Sequence, residues 1–202
     1  MHPQKLAILG GSSPFTVALV NSLNDVVDRL PAFDLQMHGR NGENLALMEA
    51  YANRLLQRSG WRIGSTTSMR KALEGASIVI HQIRYGGMER RIQHEQFSER
   101  CRVPPDETLG PTALLAAFEM FSELRDTCDA MAEYSPDAWI LNLTNPLSYV
   151  TAMMVSTGLR RCVGLCELPR MTALEIAALY RLEIRELDWD LPSKLPNPLS
   201  QP

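Results

Sequence analysis

The residues WILNLTNPLSYVTAMMVSTGLRRCVGLCELP at positions 139–169 decide the fold class of this chain. Two short apolar runs, 140–143 and 163–165, are joined by a segment of helical composition, and a connection of this length joins parallel strands. Polar residues follow each run, at 144–146 and at 166–167. Ligands bind at the carboxyl ends of the strands in open parallel sheets, so we expect the functional site at this edge.

The composition is that of an ordinary globular protein. Of 202 residues, 45% are hydrophobic and 21% charged, which predicts one large domain. The net charge of -3 argues against nucleic acid as a partner. We find no apolar run of about 20 residues and no signal-peptide pattern at the start, so we expect no membrane association and a cytoplasmic location. The four cysteines form no CxxC pair, which favours reduced thiols.

A glycine turn follows the first predicted strand, KLAIL at 5–9, and precedes a helix predicted over 14–30. The turn is the candidate site for the pyrophosphate of a dinucleotide, and its residues are Gly10, Gly11, Ser12 and Ser13. A full GxGxxG motif would place glycines at 9, 11 and 14, whereas the chain has Leu9, Gly11 and Pro14. A tight turn with an ordinary helix N-cap at Ser13 is an equally good interpretation.

The second predicted strand, 33–37, is followed by His38 and Arg40. Dinucleotide-binding folds usually carry an acidic residue here for the adenosine ribose. A basic pair could instead meet the 2'-phosphate of NADP, although solvated loops carry such residues more often. The preference between NAD and NADP is therefore open.

A third strand is predicted at 62–67, and a short helix at 69–73 precedes a fourth strand at 77–83, SIVIHQI. We interpret His81, inside this strand, as a packed core residue rather than a ligand. Arg84 and Arg91 follow the strand, where arginines could grip a phosphate or carboxylate, and solvated helix charges are the alternative.

A long helix is predicted over 111–134. Its core face is predicted to consist of Leu114, Phe118, Phe121, Leu124, Cys128 and Met131. Another amphipathic segment is predicted at 171–182, and four prolines in the last eleven residues predict an irregular tail. We therefore predict a doubly wound, three-layer α/β domain of Rossmann type with a mostly parallel sheet over 1–183, and a tail over 184–202.

With these segments placed, the chain resembles glycoside hydrolase family 4, the NAD- and metal-dependent group that includes 6-phosphoglucosidases and α-galactosidases. Five pieces carry the resemblance in family order: GGSS at 10–13, IRYGGMERRIQHE at 83–95, DETLGP at 106–111, PDAWILNLTNP at 136–146 and VGLCELP at 163–169. The resemblance covers the chain but only the amino-terminal part of the family's architecture. The irregular tail falls where the family's substrate domain would begin.

The resemblance implies a role for each matching residue. It assigns the turn at 10–13 to NAD and Cys166 to a divalent metal, usually manganese. Glu167 falls where some members place an acid that assists the leaving group. The residues implied to line the sugar or sugar phosphate site are Arg84, Arg91, Glu107 and Asn145.

The implied reaction is redox elimination rather than hydrolysis by a carboxylate pair. NAD takes a hydride from C3 of the sugar, the C2 proton is removed, and the glycosidic oxygen leaves. The family's metal-binding histidine and tyrosine base lie downstream of the cysteine, yet no histidine follows His94 here. We expect a truncated, split or drifted chain, with weak manganese binding unless a homo-oligomer partner lends a histidine such as His81 or His94.

Two other functions remain open at this stage. A lactate or malate dehydrogenase relative would share the Rossmann core and an asparagine after a central strand, but no histidine follows Asn145 to act as its acid-base catalyst. A non-catalytic dinucleotide-binding module would fit the absent downstream residues.

Overall fold

The computed structural model describes residues 4–186, and its six strands form one sheet. The strands are β1 (Gln4–Leu9), β2 (Phe33–His38), β3 (Arg62–Thr66), β4 (Ala76–His81), β5 (Trp139–Asn142) and β6 (Cys162–Gly164). The helices are α1 (Phe15–Asp25), α2 (Gly42–Leu55), α3 (Met69–Leu73), α4 (Gly87–Arg100), α5 (Gly110–Tyr134), α6 (Leu147–Ser156) and α7 (Leu168–Tyr180). Turns of 3-10 helix stand at Val27–Arg29 and Ile184–Glu186.

All strand pairs are parallel, in the order β3-β2-β1-β4-β5-β6. The order reverses between β1 and β4, which makes the carboxyl end of these two strands the switch point where ligands of such sheets bind. The pairing register aligns the strand ends, since Leu9 pairs with both His38 and His81, and His81 pairs with Asn142. The predicted doubly wound α/β fold is confirmed.

Side chains of β1 alternate between two hydrophobic cores, one on each face of the sheet. Leu6 and Ile8 pack with residues of α1 and α2, while Ala7 and Leu9 pack with residues of α3, α5 and α6. This alternation follows from the two-residue period of a strand. It produces the predicted three layers.

The first helix is shorter than predicted, because α1 ends at Asp25 and a 3-10 turn takes its place before Leu30. Leu30 is extended, at φ -110° and ψ 148°. Pro31 follows it, and a proline disfavours helical backbone in the residue before it.

The predicted core face of α5 is correct in its second half and wrong in its first. Leu124, Cys128 and Met131 are buried, but the side chains of Leu114, Phe118 and Phe121 are exposed. The residues buried in their place each stand one position earlier: Ala113, Ala117 and Met120. One position is about 100° around a helix, so the first half of α5 is rotated away from the predicted face.

Polar contacts join the first half of α5 to α4. Arg90 lies 3.5 Å from Glu119 and 3.3 Å from Glu123, and His94 Nε2 lies 2.9 Å from Glu119 Oε2. Glu119 and Glu123 therefore lie on the side of α5 that contacts α4. Small side chains such as Ala113 and Ala117 then face the core.

The described residues divide into two compact units, one that ends at Leu165 and a second that begins at Cys166. The second unit contains α7, in which Ala173 and Ala177 are buried. Leu182, the last residue of the segment predicted to be amphipathic, is exposed. Most of the predicted tail, 187–202, lies outside the described residues. Within 4–186, none of the helices combines the length and the apolar character that a membrane crossing requires.

Candidate functional site

The turn between β1 and α1 lies against the carboxyl end of β2. The N–H groups of Gly10 and Gly11 donate to the carbonyl oxygen of His38 at 3.0 and 2.6 Å. Ser13 N donates to the Gly10 carbonyl at 3.0 Å, and this bond closes the turn. The turn is therefore held by hydrogen bonds across two neighbouring strand ends.

Three glycines make this close approach sterically feasible. A Cβ atom on Gly10, whose φ is +91°, would lie 2.6 Å from the Gln82 carbonyl oxygen, and one on Gly11 would lie 2.8 Å from Met37 Cβ. A Cβ atom on Gly39 would lie 2.4 Å from Ser12 Oγ. Gly39 directly follows β2, outside the turn, so the GxGxxG pattern does not include it.

Few donors of the turn remain available for a pyrophosphate. Ser13 Oγ accepts from Phe15 N at 3.3 Å. The N-cap of α1 is Pro14, so the N-cap predicted at Ser13 is wrong by one residue. Within the described residues, Ser12 N–H is the main-chain donor of the turn that has no hydrogen-bond partner. The tight glycine approach and the adjacent start of α1 fit a dinucleotide phosphate, with Ser12 as the free donor.

His38 and Arg40 differ in their surroundings. Burial lowers the pKa of the His38 imidazole, and a hydrogen bond with the main chain of Thr67 opposes this shift. The ring is therefore neutral near pH 7, and its Nδ1 atom is buried without a partner among the described residues. Arg40 is exposed, so it is the member of this pair that offers a positive charge to solvent.

The four predicted sugar-site residues lie together in the structure. Glu107 accepts hydrogen bonds from Arg84 Nη1 at 3.0 Å and from Asn145 Nδ2 at 3.3 Å, and it pairs with Arg91 as well. Arg91 Nε also donates to Glu95 at 2.8 Å. These side chains come from the segments that follow β4 and β5 and from the loop before α5.

Glu107 is ionised in this cluster. Partial burial would raise the pKa of its carboxyl group, but hydrogen bonds from Arg84 and Asn145 and the charges of Arg84 and Arg91 hold the pKa below its usual range. Two guanidinium groups and one amide thus surround one carboxylate. Their N–H groups are of the kind that bind phosphate and sugar oxygens.

The glycine turn and this cluster are neighbours. The guanidinium carbon of Arg84 lies 5.9 Å from the ring centroid of Phe15, the first residue of α1. Gln82 Nε2 donates to Thr16 Oγ1 at 2.8 Å, just past the turn. Sequence reasoning assigned no role to Phe15, Thr16 or Gln82, because nothing in the sequence shows which segments meet at the switch point.

His81 is a buried core residue, as predicted. Burial lowers its pKa to about 4, against the opposing effect of a hydrogen bond with Asn142. The ring is therefore neutral, with Nδ1 2.9 Å from Asn142 Oδ1 and Nε2 2.9 Å from the Tyr85 hydroxyl.

Cys166 and Glu167 begin the second compact unit, and both are exposed. Glu167 occupies the N-cap position of α7 without a side-chain capping bond. Across residues 4–186, no three histidine, cysteine, aspartate or glutamate side chains are grouped so that they could hold a metal ion. A single thiolate with one neighbouring carboxylate does not fit a complete manganese site.

The parallel sheet, the glycine turn at its switch point and the polar strand ends define a Rossmann-type α/β domain. The model of the family described as "Family 4 glycosyl hydrolase" matches residues 5–182. The chain belongs to this family, and the predicted membership is confirmed.

Named relatives agree with this assignment. A probable 6-phospho-beta-glucosidase of Bacillus subtilis is 28% identical over 189 residues, which are 91% of this chain and 43% of that protein. A crystal structure of a 6-phospho-alpha-glucosidase from gut microorganisms, in complex with NAD and Mn²⁺, has a TM-score of 0.82 at 21% identity and covers 92% of this chain and 43% of that one.

A second solved structure, the 6-phospho-beta glucosidase of Thermotoga maritima with NAD and glucose-6-phosphate, has a TM-score of 0.79 at 24% identity. It covers 90% of this chain and 44% of that one. The chain thus spans less than half the length of these relatives. At these identities, the structural likeness establishes the fold.

Proposed function

We propose that this chain forms the dinucleotide-binding part and one wall of the substrate site of a glycosidase that acts on glycosides or 6-phosphoglycosides with a nicotinamide dinucleotide, NAD or NADP. The observation that carries the proposal is the convergence of Arg84, Arg91 and Asn145 on Glu107 beside the glycine turn. Membership of the family and relatives crystallised with NAD and glucose-6-phosphate support it.

In this proposal the turn at 10–13 holds the pyrophosphate of NAD, with Ser12 N–H as donor and Gly10 and Gly11 allowing the close approach. The bound nicotinamide would supply hydride transfer. Arg40 lies at the ribose end of β2, where it would favour NADP over NAD, and His38 contributes its carbonyl oxygen to the turn.

Arg84, Arg91 and Asn145 would bind the oxygens of the sugar or its phosphate. Glu107 keeps the three side chains in place, because it accepts hydrogen bonds from Arg84 and Asn145 and forms an ion pair with Arg91. Cys166 and Glu167 would contribute a metal ligand and a leaving-group acid, as the family resemblance implies. We assign no reaction step to the metal, because the described donor set is incomplete.

Calorimetry on the purified chain tests the substrate site. Glucose-6-phosphate should bind in the presence of NAD, and Arg84→Ala should weaken this binding by about tenfold, the usual effect of removing a charged hydrogen bond. Arg62→Ala is the matched control, because it also removes an arginine from an ion pair, here with Asp34. Arg62 is the first residue of β3, at the amino ends of the strands, whereas the candidate site lies at their carboxyl ends. Equal weakening by both variants would contradict the assignment.

A non-catalytic dinucleotide-binding module is the second candidate, and the incomplete metal donor set favours it. This candidate predicts NAD binding without any effect of glucose-6-phosphate. Release of 4-nitrophenol from 4-nitrophenyl glucoside 6-phosphate, in the presence of NAD and manganese, would instead establish the glycosidase.

A further inference from the structure

The proposed binding residues leave one buried polar network without a role. At its centre is His81, which is fully buried on β4. A polar ring in a protein core is costly unless its nitrogens are hydrogen-bonded. Here both are, to Asn142 on β5 and to Tyr85 in the loop after β4.

The surrounding bonds fix the proton on this ring. Asn142 Oδ1 accepts from Thr144 N at 3.0 Å, and Asn142 Nδ2 donates to Thr151 Oγ1 at 3.0 Å. Thr151 uses its own proton on the Leu147 carbonyl. Asn142 therefore presents an acceptor to His81, so Nδ1 carries the proton and Nε2 is an acceptor. Nε2 lies 2.9 Å from the Tyr85 hydroxyl, whose single proton also has Thr127 Oγ1 as an acceptor at 3.2 Å.

This network reaches the chain on both sides of the candidate substrate site. Thr144 is the residue before Asn145, and its hydroxyl donates to the Ile83 carbonyl at 3.1 Å. Ile83 and Tyr85 are the two neighbours of Arg84. The same network therefore anchors the residue before Asn145 and both residues that flank Arg84.

We propose that His81 is a positioning residue for this site: through Asn142 and Tyr85 it fixes the two loop segments that present Asn145 and Arg84 to a sugar phosphate. The inference about the ligand rests on the proposed function. The inference about the loops rests only on the hydrogen bonds.

Nuclear magnetic resonance on the full chain tests the loops directly. Selectively ¹⁵N-labelled His81 should show a neutral ring protonated at Nδ1 at pH 7. Replacing it in His81→Phe keeps a ring of similar size and removes both bonds, so amide hydrogen exchange at Thr144 and Asn145 should accelerate by about tenfold. The affinity for glucose-6-phosphate should fall by a similar factor.

Leu35→Ala is the control for lost stability, because Leu35 is fully buried on β2 in the core on the other face of the sheet. It should leave exchange at Thr144 and Asn145 unchanged relative to other amides. Equal effects of the two variants, or a proton on Nε2 of wild-type His81, would overturn the inference.

The two proposals fail separately. If the wild-type chain does not bind glucose-6-phosphate, the proposed substrate site is wrong, and the exchange rates alone decide the role of His81. Faster exchange confined to His81→Phe would then still support positioning. Unchanged exchange would refute it, whatever ligand the site takes.

Discussion

Replacing Gly10 with alanine tests whether the glycine turn depends on close backbone approach. At φ +91° an alanine would adopt the left-handed region, which costs roughly 1–2 kcal/mol. Its Cβ would also lie 2.6 Å from the main-chain oxygen of Gln82. That oxygen belongs to the backbone just past β4 and cannot rotate away, so overpacking adds about 1–3 kcal/mol.

Gly60→Ala separates these two costs. Gly60 has φ +73°, but nothing lies within 4 Å of where its Cβ would be. It should therefore lose only the backbone contribution, roughly 1–2 kcal/mol. Gly10→Ala should lose roughly 2–5 kcal/mol in total, the sum of the backbone and packing contributions.

Urea unfolding followed by tryptophan fluorescence measures both variants, because the largely buried Trp61 packs edge-on against Phe33 at 5.1 Å. In thermal unfolding, each kcal/mol corresponds to about 2–4 °C for a chain of this size. Dinucleotide affinity should fall in Gly10→Ala alone. If the two variants lose the same stability and bind NAD equally, the turn is not packed as the structure shows.

Four further predictions concern charged and metal-binding groups. Arg40 should make NADP bind more tightly than NAD in calorimetry, and Arg40→Ala should remove the difference in affinity. Tighter binding of NAD than of NADP by the wild type would refute this role of Arg40. Because the folded pKa of Glu107 is lowered, its stabilising effect is present above the pKa of unfolded glutamate and is lost as the pH falls through the folded pKa. Glu107→Gln should therefore lower the free energy of unfolding at pH 7 by more than at pH values below the usual glutamate range, and a constant difference in urea titrations would refute this. The chain should bind manganese weakly with NAD and a sugar phosphate present, and tight binding that Cys166→Ala abolishes would show a working metal site. On α- and β-linked 4-nitrophenyl sugar phosphates, any turnover should favour the α-anomer. A preference for the β-anomer would show that Glu167 is not the leaving-group acid.

The strands were predictable because buried parallel strands are short, nearly continuous apolar runs. β4 shows where this signal ends. The run at 77–83 predicts a strand through Ile83, but the strand ends at His81. Gln82 then turns its side chain to Thr16, a contact 66 residues away in sequence that no local pattern indicates.

The rotation of α5 shows a different limit. The first half of α5 has two neighbouring apolar faces. One carries Ala113, Ala117 and Met120, and the other, one position along the chain, carries Leu114, Phe118 and Phe121. Periodicity favours the larger side chains. The face that is buried depends on tertiary packing, and Glu119 and Glu123 of α5 lie against α4. Because the face with the smaller side chains is buried, Leu114, Phe118 and Phe121 are exposed.

Glu107 could not have been found from periodicity, because it lies in a proline-rich loop and its partners come from other segments. Family resemblance pointed to the same four residues that the structure groups. That agreement concerns their position. Their roles in binding remain predictions, for which the Arg84→Ala comparison is the test.

The residues at the end of β4 contact the glycine turn segment, the buried His81 network and the Glu107 cluster. His81 bonds to Asn142, Gln82 to Thr16 beside the glycine turn, and Arg84 to Glu107 in the polar cluster. These residues are consecutive or nearly so. A shift of the end of β4 therefore moves its contacts with the glycine turn segment and with the Glu107 cluster together. Changes in this segment should therefore alter dinucleotide and sugar phosphate binding jointly, whereas changes confined to the glycine turn should act first on the dinucleotide.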